Sequence, residues 1–369
     1  MDKVNRQEIR EWIDRKLPEL TETLKEICRI RSVAEPKGAV CAPYGEGCKK
    51  VLHTMLQIGR DAGFETENFE DYVGRISYPG RKKENIGIWS HLDVVEEGDD
   101  WDYSPYDPIV KDGYFIARGC QDNKSSAVIA LYVLNYMKEH GITLNHTLDL
   151  YLGTCEEKGM FDLDYFTAHH PCPTLSLVPD SGFPVCCGER GTFNGELTAL
   201  EQASGELIRV DCDCGTYTIP DYALAVLRYT PERWEKCQPA AEKMEAVRKG
   251  EEIHLTARGV CCPASFPEQG DNALTRLADF LCERELLPEN DLKNFSIIRD
   301  INAKHDGSIL GIHCEDSLSG PVVQTAIRMS LPEETRTPVI FIASRYPVSQ
   351  NSFPYEEQAI KNAAARGFA

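Results

Sequence analysis

One histidine and five carboxylates in the first half of the chain stand where metal chemistry could be done. His91 and Asp93 follow the apolar run I-G-I-W-S. Asp122 lies in R-G-C-Q-D-N-K, Glu156 and Glu157 follow Y-L-G-T-C, and Asp180 follows L-S-L-V-P. Taken singly, each has an ordinary explanation: a His-x-Asp capping pair, a helix N-cap, a solvated Glu-Glu pair, a Pro-Asp turn. Taken together they share a position, because each comes directly after a short apolar segment or just before a helix. In an open α/β sheet, functional residues gather where strands emit their loops at the carboxyl edge. One imidazole and several carboxylates at one such edge form a ligand set for a hard or borderline divalent cation.

The elements that must position these residues are readable in outline. Apolar residues at helical spacing run from Ile9 to Ile27, with Pro18 expected to kink or divide the segment. A second amphipathic helix is predicted over 47–62, ended by Ala62-Gly63-Phe64. T-E-N-F and Y-V-G-R-I-S-Y suit strands. Residues 123–139 make a strongly apolar helix whose start carries Asn123, Ser125 and Ser126. L-D-L-Y-L-G-T and T-L-S-L-V-P-D read as buried strands. This alternation predicts a three-layer α/β/α domain with a largely parallel sheet over 1–185. Beyond it, E-L-T-A-L, L-I-R-V-D-C-D, E-I-H-L-T-A-R-G and T-P-V-I-F-I-A-S-R-Y read as strands. Helices are expected at 220–229, 271–285, 320–330 and from Tyr355 to Arg366. A smaller α+β domain over 186–369 follows.

The 369 residues carry 59 acidic and 40 basic side chains, a net charge of −19. Such acidity disfavours a nucleic-acid backbone or an anionic membrane as partner, since both would be repelled. The charged N-terminus has no signal-peptide core and no apolar run approaches membrane-spanning length, so a soluble, cytoplasmic protein is expected. Fifteen cysteines occur without any C-x-x-C pair. They are read as reduced, mostly buried thiols rather than a zinc cluster.

The motifs H-L-D-V-V, A-R-G-C-Q-D-N-K, G-T-C-E-E, V-P-D-S-G-F-P, T-I-P-D-Y-A, L-G-I-H-C-E-D-S-L-S-G and S-R-Y-P-V recur in order over almost the whole chain. In this the sequence resembles the dinuclear-zinc hydrolases that include aminoacylases, glutamate carboxypeptidases and desuccinylases. It is most similar to the PepV-type dipeptidases. The resemblance implies a zinc-peptidase-like catalytic domain with a lid domain that closes over substrate, and a monomer. It implies that His91 and Asp180 bind one zinc, Glu157 a second, and Asp122 both, with Asp93 orienting His91 through its other ring nitrogen. Two such cations, about 3.5–4 Å apart, would acidify a shared water and polarise the scissile carbonyl. Glu156 would take the water's proton and pass it to the leaving amine. Arg345 matches a lid arginine that holds a substrate carboxylate, a task suited to a guanidinium fork. A strand-edge salt bridge is the plainer reading of Arg345.

The chain departs from the family pattern in three places. Pro263 in G-V-C-C-P-A-S stands where the family has an oxyanion-stabilising histidine, and proline offers neither a side-chain donor nor an N–H. Thr218 stands in place of an asparagine. No histidine follows Arg345, where the family supplies the last ligand of the second zinc, so the catalytic domain is expected to be incomplete at its C-terminal side. The first zinc site should therefore be better occupied than the second. The main reading is a zinc-dependent dipeptidase-type hydrolase that cuts an amide near a free carboxylate. The alternatives are a catalytically impaired relative that binds metal or peptide, and an N-acyl-amino-acid deacylase.

Overall fold

The computed structural model describes residues 5–36, 43–98, 101–186, 188–213 and 217–369. The chain divides into two compact units, Met1–Cys186 and Cys187–Ala369.

The first unit is built on a five-stranded sheet. Its strands are β1 (Glu65–Phe69), β2 (Val73–Tyr78), β3 (Lys82–His91), β6 (His146–Gly153) and β7 (Leu175–Leu177), in the order β1-β2-β6-β3-β7. A small hairpin of β4 (Ile109–Lys111) and β5 (Tyr114–Ile116) stands apart from it. Strand β6 is central and buried along most of its length. Its Leu148, Leu150 and Leu152 face one core, while Tyr151 faces the other. The helices α1 (Arg6–Cys28), α2 (Glu46–Asp61) and α3 (Lys124–Glu139) supply the first core through Trp12, Leu24, Leu52, Met55, Leu131 and Leu134. The helix α4 (Phe161–His169) covers the opposite face with Phe166, which packs edge-on to Phe69, Trp89 and Tyr151. Helices therefore lie on both faces of the sheet, the three-layer α/β/α arrangement. Both β3 and β6 end at the same edge, at His91 and Gly153, because they pair in parallel.

The second unit holds two antiparallel sheets. One has the order β10 (Leu207–Asp213), β12 (Tyr222–Arg228), β14 (Glu252–Arg258), β13 (Met244–Lys249). The other places β19 (Val339–Tyr346) between β18 (Val323–Ser330) and the short β8 (Gly191–Thr192) and β9 (Gly195–Thr198). Two-residue ladders join β11 (Thr218–Ile219) to β15 (Cys262–Pro263) and β16 (Glu315–Asp316) to β17 (Gly320–Pro321). The helices α5 (Pro231–Lys236), α6 (Ala273–Glu283), α7 (Glu289–Lys304) and α8 (Tyr355–Ala364) complete the unit. Its core runs through Leu227, Leu255, Leu277, Phe295, Ile298 and Ile340. Asn272 caps α6, accepting from the N–H groups of Leu274 and Thr275.

Several expectations are corrected. The sheet of the first unit is mixed: β1, β2 and β6 run antiparallel, and only β6, β3 and β7 are parallel. Strand β7 is an exposed edge rather than a buried strand, with Leu175 and Leu177 about half exposed. The helix α1 runs through Pro18, which lies on the exposed side where the carbonyl it leaves unbonded meets solvent. The expected helices at 220–229 and 320–330 are the strands β12 and β18. Strand β12 lies inside its sheet, and the burial of Y-A-L-A-V-L-R on both faces removed the alternation that marks a half-exposed strand; β18 is at the edge of its sheet, yet most of its residues are buried. The cysteines of the described residues are not mostly buried. Among the described residues, Cys28, Cys48, Cys155, Cys237 and Cys262 are buried, while Cys172, Cys186 and Cys261 are exposed. Cys41, Cys187 and Cys214 lie outside the described residues, as do Asp99 and Asp100 of the acidic loop.

Candidate metal centre

His91 is the last residue of β3 and is almost wholly buried. Its Nδ1 lies 3.0 Å from the backbone carbonyl oxygen of Asp93. A carbonyl can only accept, so Nδ1 carries the proton and Nε2 is turned to the opposite side. There Nε2 meets Asp122 Oδ1 at 3.0 Å, Asp180 Oδ2 at 3.4 Å and Glu156 Oε2 at 3.9 Å. Ligand atoms of His91, Asp122 and Glu157 all fall within 4.8 Å of one another. The structure thus gathers His91, Asp122, Glu156, Glu157 and Asp180 at the carboxyl edge of β3 and β6.

Burial alone would favour the neutral form of His91. Hydrogen bonds to Asp122, Asp180 and Asp93 outweigh it and hold the imidazole well above its usual pKa. The His91 hydrogen bond holds Asp122 below the usual carboxylate value. Burial, reinforced by the negative charge of Asp122, pushes Glu157 up to about 7. Glu156 is raised as well, mainly by burial, with Asp93, Asp180 and Asp122 adding to the effect and His91 opposing it. The local field draws positive charge to the point that Nε2 faces.

Asp93 meets the Nδ1 side of His91 mainly through its backbone. Its backbone carbonyl, not its carboxylate, makes the shorter approach to His91, since Oδ1 stands at 3.4 Å from Nδ1. The wholly buried carboxylate is occupied mainly by the loop after β6. Oδ1 accepts from the Glu156 N–H at 3.1 Å and Oδ2 from the Glu157 N–H at 3.0 Å. The two preceding N–H groups, of Thr154 and Cys155, donate to Asp162 Oδ2 at 2.7 and 3.1 Å. Four consecutive backbone donors are therefore held by two buried carboxylates, and this fixes where Glu156 and Glu157 project. Gly153 leaves room for the arrangement, because a Cβ there would stand 2.6 Å from Asp162 Oδ2. Asp162 was not legible in the sequence. F-D-L-D at the start of α4 reads as an acidic first turn, and nothing local shows that one of its carboxylates turns inward.

In the second unit, Thr218 and Pro263 are direct partners across the β11–β15 ladder. The two family departures thus sit opposite each other. Tyr217, next to Thr218, lies under the Arg345 guanidinium at 5.5 Å from its ring centroid. Arg345 donates to the carbonyl of Ser344 at 3.4 Å, and among the described residues no carboxylate pairs with it. The strand-edge salt bridge is therefore absent among the described residues. Arg345, Tyr217 and Thr218 form one neighbourhood.

The first-unit cluster fits a bound zinc or similar ion. One imidazole nitrogen, freed by the bond on its partner nitrogen, converges with carboxylate oxygens in a strongly acidic pocket. No helix among the described residues is long and apolar enough to cross a membrane.

Residues 87–324 match the family described as Peptidase family M20/M25/M40. The chain is 29% identical over 353 residues to a Bacillus subtilis protein named "Putative dipeptidase YtjP", a match that spans 92% of this chain and 75% of that one. It is 26% identical over 340 residues to the Beta-Ala-Xaa dipeptidase of Lactobacillus delbrueckii subsp. lactis, covering 86% of this chain and 69% of that protein. Human carnosine dipeptidase 1 shares the fold, with a TM-score of 0.50 at 13% identity over 98% of this chain and 76% of the human one. The chain belongs to Peptidase family M20/M25/M40, and so to the metal-dependent peptidases.

Proposed function

We propose that the chain is a zinc-dependent dipeptidase that hydrolyses the amide bond of a small peptide bearing a free carboxylate. The observation that carries this is the convergence of Asp122, Asp180 and Glu156 on Nε2 of His91, in a chain of a peptidase family. His91, Asp122 and Asp180 would hold the first zinc, and Asp122 with Glu157 the second, which has fewer ligands from this chain and is the weaker. Bound zinc supplies Lewis-acid polarisation of the scissile carbonyl and makes a water more acidic.

The chain's own groups do the rest. Asp93 keeps the Nδ1 proton of His91 in place and anchors the Glu156–Glu157 turn. Glu156, half-buried and raised above the usual carboxylate pKa, takes a proton from the attacking water and returns it to the leaving amine. Arg345 presents a guanidinium without a carboxylate partner among the described residues, suited to the substrate's free carboxylate, and the Thr218 hydroxyl is a candidate donor to the substrate. The working unit is proposed to be a cytoplasmic monomer acting on peptides, not nucleic acid or membranes.

A second reading is favoured by the Thr218–Pro263 pairing. Losing one oxyanion donor lowers turnover by about 10²–10³. A protein that binds zinc and peptide with little turnover follows if no other donor replaces the lost ones. A deacylase would share the metal chemistry. Assays of zinc-loaded protein on a dipeptide, the same dipeptide as its C-terminal amide, and an N-acyl amino acid separate the three. The dipeptidase reading requires the free dipeptide to be cleaved fastest. It fails if the N-acyl amino acid is preferred or if nothing is cleaved.

A further inference from the structure

Asp122 and Asp180 are carried by backbone that the sheet alone holds loosely. Asp180 lies three residues past Leu177, the end of a three-residue edge strand with a single neighbour. Asp122 is largely exposed, and its side chain is hydrogen-bonded to His91. The first turn of α3 reaches both segments. Ser126 Oγ donates to the carbonyl oxygen of Pro179 at 2.7 Å, directly before Asp180. The Lys124 N–H donates to the Gly119 carbonyl at 3.0 Å, which closes the loop that bears Asp122. The Lys124 side chain is wholly buried, and its Nζ donates to the carbonyls of Ile27 at 3.0 Å and Ile30 at 2.9 Å.

Helix formation does not explain Lys124. A cation in the first turn opposes the helix dipole, and a buried ammonium is unfavourable unless it is fully hydrogen-bonded. Its acceptors lie at the C-terminal end of α1, where the dipole does favour a cation. The loop is also packed onto the lysine stem. Gly119 has φ +75°, and a Cβ there would stand 2.5 Å from Val94 Cγ1 and 3.3 Å from Lys124 Cδ.

We propose that the first turn of α3 positions the metal ligands, with Lys124 fixing the loop of Asp122 and Ser126 fixing the segment of Asp180. This rests on the zinc reading given above. Both are positioning residues, since neither side chain touches the proposed ligand atoms among the described residues. Outer residues that hold ligands in place change metal affinity by about 10–100-fold when removed.

The test is a zinc titration of the full chain against a chromophoric chelator, together with thermal unfolding of the metal-free protein. Ser126→Ala is expected to weaken zinc binding about tenfold while leaving metal-free unfolding nearly unchanged, and Ser126→Thr to restore affinity to within about twofold. Lys124→Met is expected to weaken it by more than tenfold. Because that change leaves two buried carbonyls without a donor and can unfold the first unit, the Ser126 pair decides. Parental affinity in Ser126→Ala, or a Ser126→Thr protein as weak as Ser126→Ala, overturns the proposal while leaving the zinc reading intact. A parent chain that binds no zinc overturns the zinc reading and the proposal together.

Discussion

His91 is the one imidazole in a ring of carboxylates, and its two nitrogens divide the work. Nδ1 is committed to the Asp93 carbonyl, so Nε2 alone is available to a cation. The pKa shifts make this testable. In the metal-free protein His91 is held well above its usual value and Glu157 at about 7. Zinc must displace any proton from its ligands. Filling the first site releases the His91 proton, and filling the second releases the Glu157 proton once the pH is below 7. Affinity at the first site should therefore fall by about one decade per pH unit throughout, while affinity at the second should be nearly flat above pH 7 and fall by about one decade per unit below it. Titrations between pH 5.5 and 8.5 check this, and a constant slope at the second site would contradict the Glu157 assignment. Arg345 makes a separate prediction. Replacing it with methionine should raise KM for a free dipeptide about tenfold or more and leave the dipeptide amide almost unaffected, as steady-state kinetics would show.

At the scale of elements, the parallel pairing of β3 and β6 brings His91 and the Thr154–Glu157 loop to the same edge, and α4 then locks that loop through Asp162. Asp162→Ala would leave the Thr154 and Cys155 N–H groups buried without an acceptor. A loss of about 1–3 kcal/mol in urea unfolding is expected. Zinc affinity should fall too, because Glu157 is carried on the freed loop. This level also shows what the sequence could and could not reveal. His91, Asp122, Glu156, Glu157 and Asp180 were legible because polar residues placed at the ends of apolar strands break the hydrophobic pattern. Asp162, Lys124 and Ser126 were not, because their partners are backbone groups 7 to 97 residues away that no spacing rule connects. The strands β12 and β18 were misread as helices for a related reason. A strand buried on both faces loses its period-two signature, and in β12 Ala and Leu then imitate a helix.

At the scale of the molecule, each unit has a hydrophobic core of its own, and every proposed zinc ligand belongs to the first. Calorimetry of the metal-free chain should resolve two transitions. Zinc at about a hundred times its Kd should stabilise one of them by about 2.7 kcal/mol and leave the other in place. Movement of both transitions by the same amount would mean that the units unfold as one. The net charge of −19 fits a protein that concentrates cations rather than polyanions. The central claim, however, is chemical: the cluster around His91 hydrolyses a dipeptide with Glu156 as its proton carrier. The most direct measurement is dipeptide hydrolysis by the zinc-reconstituted full chain beside its Glu156→Gln variant, with zinc content measured for both. Equal zinc contents with turnover reduced by about 10²–10⁴-fold in the variant are predicted. Equal turnover in the two proteins would contradict the account.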